Sequence, residues 1–139
     1  MLAGMVATRA MDLAMARLPE GETPPRVASG VLTGRDPAVA PARLAAVVHH
    51  VAGSLTGGLF VTLLLFAEAL LGVSPVAHAA AVVALYGLMV GFFALVPLPR
   101  ADLPRERVRR VVRDWAVVAA VYLAVLVGVT WSTTRLLVG

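Results

Sequence analysis

The chain has 139 residues, of which 60% are hydrophobic, with a mean hydropathy of +0.88. Soluble domains sit nearer 45–50% apolar, so the balance indicates one small integral membrane domain over residues 1–139. The net charge of +4 comes from arginine alone, and there is no cysteine, which excludes disulfides and cysteine-based zinc or iron–sulfur sites.

Met1 to Leu18 is apolar but carries Arg9, Asp12 and Arg17. A cleavable signal peptide would place its positive charge first, ahead of an unbroken apolar run and a small-residue cleavage site, so this segment is expected to be retained. A helix over about 2–18 would span about 25 Å, marginal for a crossing, and a surface-lying amphipathic helix is the alternative. Residues 19–41 hold five of the prolines and form the only long polar stretch. Thr23-Pro24-Pro25 reads as a helix start, and Gly34 as the stop of two turns from Arg26. That loop is expected to be ordered and interfacial, with Val27, Val31 and Leu32 lying on the bilayer.

From Leu44 to Pro99 the one charged side chain is Glu68. A run of this kind cannot supply a soluble surface, and it is long enough for two crossings at about 20 residues each. Gly72-Val73-Ser74-Pro75 breaks it into helices of about 42–71 and 75–96, with Ser74 as an N-cap. A further helix of about 103–137 starts among Arg105, Arg107, Arg109, Arg110 and Arg113, then runs uncharged from Trp115 to Thr134. Trp115 and Trp131 are spaced to sit one at each interface. The expected fold is all-α: a four-helix transmembrane bundle, with the first helix short, plus a Pro/Gly-rich interfacial loop.

Ten of the twelve arginines fall in the stretches 17–43 and 100–113. The positive-inside bias puts loops 19–41 and 97–113 in the cytoplasm and the C-terminus outside, in the cytoplasmic membrane. It also accounts for the high pI without nucleic acid. The arginines at 105, 107, 109, 110 and 113 hold topology and are candidates for contact with anionic lipid.

Small residues mark close helix packing in lipid. Gly53 and Gly57, and Gly87 and Gly91, have GxxxG spacing; Ala120, Ala124 and Gly128 continue a small residue at every fourth position. Packing within one bundle is the simpler reading, and contact between copies of the chain or with a membrane partner is the competing one.

Ionisable groups at membrane depth are candidates for function by default. Helix rise puts Asp12, His49 and His50 at a common depth of about 9–10 Å, with Arg9 one turn from Asp12. Glu68, His78 and Arg135 form a second candidate cluster at the opposite end. The first cluster reads as structural glue between helices, as a proton or ion relay, or as a metal site. Adjacent histidines project about 100° apart, which disfavours chelation, and His78 lies at the wrong end for a haem pair. No metalloprotease, serine-hydrolase or P-loop signature occurs, so no catalytic residue, metal or cofactor is expected.

Gly4, Ala7-Thr8 and Met11-Asp12, then Thr23-Pro24-Pro25, then His49 with Gly53, resemble the pattern of YagU-like small prokaryotic membrane proteins. That resemblance implies a four-helix membrane protein whose first segment crosses, and it implies no activity. The role expected is non-enzymatic, structural or accessory. A small transporter or channel component using Asp12, His49 and His50 is the alternative, and a membrane metalloenzyme ranks third.

Overall fold

The computed structural model describes residues 1–138, all of whose regular structure is helical. There are five α-helices: α1 (Leu2–Met15), α2 (Thr23–Thr33), α3 (Ala42–Leu71), α4 (Pro75–Leu95) and α5 (Arg105–Val138). A 3-10 turn, Leu98–Ala101, links α4 to α5.

Three helical segments, not four, are long and apolar enough to cross a membrane: Ala42–Leu71, Pro75–Ala101 and Arg105–Thr133. This corrects the expected four spans. At 14 residues α1 is about 21 Å long, short of the ~30 Å hydrocarbon layer. The chain leaves α1 through consecutive tight turns, with Leu18 N–H bonded to Met15 O and Gly21 N–H to Leu18 O. Those turns end the helix before the segment of about 2–18 is complete.

The helix ends follow local chemistry. Pro24 and Pro25 occupy the first turn of α2, where a missing N–H costs nothing. Gly34 closes α2 in the left-handed region at φ 64°. Gly72 (φ 72°) turns the chain out of α3, and Ser74 caps α4 by accepting the Ala77 N–H at 3.2 Å.

α1 lies in the groove between α3 and α5, antiparallel to α3. Gly4 sits against Gly53 and Gly57 so closely that a Cβ on Gly4 would come within 2.8 Å of Gly53 O. A Cβ on Gly57 would meet Gly4 Cα at 2.8 Å, and one on Gly53 would strike the Thr8 hydroxyl. The GxxxG pair of α3 therefore receives α1. By contrast Gly87, Gly91 and Gly128 face open space, and Ala120 and Ala124 are exposed. Within the molecule, α4 packs instead through Ala77, Ala81, Leu85 and Phe93. The phase of its buried stripe differs from that of its glycines.

Two apolar cores result. The larger joins Ala7 and Met11 of α1 to Phe60, Leu85, Val118, Tyr122 and Leu126. The smaller, at the Arg-rich end, joins Val27 of α2 to Phe93, Leu98, Ala101 and Val111. Val27 is thus fully buried rather than spread on the outer surface, whereas Leu32 is exposed. Large apolar side chains such as Leu65, Phe66, Leu70, Val83 and Phe92 point outward, as lipid-facing residues do.

Candidate functional site

Asp12 is one turn from the C-terminal end of α1, and the antiparallel packing brings it onto the first half of α3. His49 Nε2 lies 2.8 Å from Asp12 Oδ1, and His50 Nε2 lies 3.3 Å from Oδ2. Arg9 Nη1 approaches Oδ2 at 3.6 Å from the exposed side. One carboxylate thus gathers both histidines and the arginine of the expected cluster.

A carboxylate can only accept, so the short contact fixes a proton on His49 Nε2 and leaves the lone pair on Nδ1. The His49 side chain is 9% exposed, and its Nδ1 makes no hydrogen bond among the described residues. The second histidine is set differently. His50 Nδ1 donates to Ala46 O at 2.9 Å, which is the backbone of its own helix. Its Nε2 is buried and 3.3 Å from Asp12 Oδ2 but makes no hydrogen bond, because with the proton on Nδ1 it has none to give to a carboxylate. The two imidazoles meet edge to face at 5.3 Å. Among the described residues, no set of three or more His, Cys, Asp or Glu side chains is arranged to hold a metal ion.

His49 forms part of the wall of two cavities. On the Arg-rich side a polar recess of about 230 Å³ also includes Asp12, Glu22, Arg26 and His50. On the other side an apolar cavity of about 240 Å³ lies between α2, α3, α4 and α5, walled by residues such as Pro24, Met89, Phe93, Trp115 and Tyr122.

Glu68, His78 and Arg135 do not assemble. His78 Nδ1 donates to Ser74 O, Arg135 stacks on the Trp131 ring at 3.8 Å, and no ion pair joins the three among the described residues. Glu68 and His78 stand on either side of the α3–α4 turn, and the Arg135 side chain is drawn to its own helix by Trp131. Trp115, expected at one interface, is turned into the protein. It is half-buried against Phe93, and its Nε1–H is bonded to Met89 O.

The basic run divides. Arg107 grips Glu20 through Nε and Nη2, at 3.0 and 3.2 Å, and Arg113 pairs with Asp114 at 2.9 Å. Asp114 is 1% exposed and also receives the Glu20 backbone N–H at 3.1 Å. Arg107 and Arg113 are therefore paired within the protein, Arg113 from the surface, while Arg105, Arg109 and Arg110 are exposed and make no ion pair among the described residues. Sequence reasoning passed over Glu20 and Asp114. The available signal was Asp114 itself, the last acid before the uncharged run and a poor residue to leave unpaired there.

No family model, curated protein or solved structure matches the chain.

Proposed function

We propose that the protein is a non-enzymatic, three-span component of the cytoplasmic membrane, structural or accessory in role, whose Asp12–His49–His50 cluster locks the half-length helix α1 into the bundle. The supporting observation is that the Asp12 carboxylate bonds His49 of α3 and lies 3.3 Å from its neighbour His50, about two helical turns from the Gly4–Gly57 backbone contact. In lipid, where no hydrophobic force brings helices together, such a joint decides which surfaces pack. The Arg-rich end faces the cytoplasm in this reading, with Arg105, Arg109 and Arg110 available to anionic head groups. Residues of the YagU-like pattern lie together here: Gly4 on Gly53, Asp12 on His49, and Pro24 and Pro25 beside His49 in the cavity wall. That proximity supports assigning the chain to such proteins.

The test is a double-variant cycle. Asp12→Ala strands a buried imidazole and is expected to cost about 1–3 kcal/mol, read as a lower melting temperature in detergent. Asp12→Leu with His49→Phe removes both polar partners and should recover much of that loss. A deletion-strain phenotype should return with it. A stable, inserted double variant that does not complement would sink the structural role. It would favour the second reading, a transporter, which draws on His49 standing between two cavities; proteoliposome proton flux would then be lost in the same variant.

A further inference from the structure

The apolar cavity beside His49 has a one-sided hydrogen-bonding character. Its polar side-chain donors are already committed: the Tyr122 hydroxyl donates to Gly53 O at 2.6 Å, Trp115 Nε1–H to Met89 O at 3.0 Å, and the Thr56 hydroxyl to Ala52 O at 2.8 Å. Pro24, Pro25 and Pro97 contribute wall but no N–H. What remains is acceptor capacity: His49 is part of this wall, its Nε2–H is held by Asp12, and its Nδ1 makes no hydrogen bond among the described residues. A wall without spare donors cannot satisfy a carboxylate or phosphate. An ammonium would sit without a counter-charge, because Asp12 lines the other recess and no acidic side chain lines this cavity. The occupant that fits brings a single neutral donor on an apolar body.

Size and walls narrow the class. A cavity of about 150 Å³ lined by apolar side chains takes up benzene, and this one is about 240 Å³. Phe92 and Trp115 offer ring surface to an aromatic guest, while Phe93 and Tyr122, themselves buried, back the wall. The geometry points to a binding site for the hydroxylated aromatic ring of a membrane-dissolved molecule, its phenolic O–H donated to His49 Nδ1. Asp12 acts behind the imidazole, keeping the lone pair on Nδ1.

The experiment uses the full chain in lipid nanodiscs with Trp131→Phe, so that emission comes from Trp115 in the cavity wall. The probes are 4-bromophenol, 4-bromoanisole and 4-bromobenzylamine, whose bromine quenches indole on contact. The expected result is a saturable quench by 4-bromophenol at about fivefold lower concentration than by 4-bromoanisole, which lacks the O–H. His49→Phe should bring that ratio to about one. Ala52→Phe, which fills the cavity and leaves His49 in place, should leave only the linear quench of probe dissolved in the bilayer. A purely linear quench in the parent, equal half-saturation for phenol and anisole, or preference for the amine would each overturn the assignment.

Discussion

Glu20 is the residue on which three segments meet. Its backbone N–H reaches Asp114 of α5, and its carboxylate accepts from Arg107 of α5 and from Thr23 at the start of α2. Burial alone would raise the Glu20 carboxyl, but the hydrogen bonds from Arg107 and Thr23 and the charges of Arg107 and Arg110 outweigh it and hold the carboxyl below its usual 4.5. A carboxyl lowered in the folded state stabilises fully above the unfolded value and loses that contribution as pH falls through the folded one. Glu20→Gln should therefore lower the melting temperature at pH 7 by an amount equivalent to about 1 kcal/mol, since Arg107 is partly solvated. The gap between variant and parent should close as the pH is brought well below 4.5. A gap that persists unchanged at low pH would show that the carboxylate charge is not what matters there.

At the scale of elements, α3 and α4 present the same GxxxG spacing and use it differently. Gly57 lies against Gly4, whereas Gly91 has no neighbour within 4 Å of an added Cβ. Gly57→Ile should separate α1 from α3 and cost about 1–3 kcal/mol by overpacking, while Gly91→Ile should melt close to the parent. Equal melting of both variants would remove α1 from its groove. The contrast shows what was legible in the sequence. The limits of α3, α4 and α5 were legible because their boundaries are written in prolines, glycines and a serine cap. So was the common depth of Asp12, His49 and His50, from helix rise, although their meeting also required α1 and α3 to be neighbours. The partner of each small-residue stripe was not legible, because spacing fixes a face but not what covers it. The pairing of Glu20 with Arg107, expected to contact lipid, was not legible for a related reason: 87 positions separate them, and only the docking of the α1–α2 turns onto α5 makes them neighbours.

For the whole molecule, the question is what a helix of 14 residues does beside helices of 30, 21 and 34. α1 runs from the Arg-rich end to about the middle of α3, where Gly4 meets Gly57, and it is pinned at its other end by Asp12. Its outward face is mostly apolar, with Leu2, Met5, Val6 and Leu13 exposed and Arg9 between them, which suits lipid more than water. In the proposed reading the molecule is three crossings with α1 as a shorter wedge beside them, and the wedge is what the Asp12 joint retains. Because the chain lacks cysteine, single substitutions can report this cleanly. Leu2→Cys, Leu32→Cys and Val73→Cys replace exposed side chains and are treated with a membrane-impermeant maleimide from each side of the membrane in turn. The account predicts labelling of Val73→Cys from outside, of Leu32→Cys from the cytoplasmic side, and of Leu2→Cys from neither. Labelling of Leu2→Cys from outside as fast as Val73→Cys would contradict it, because α1 would then cross the membrane.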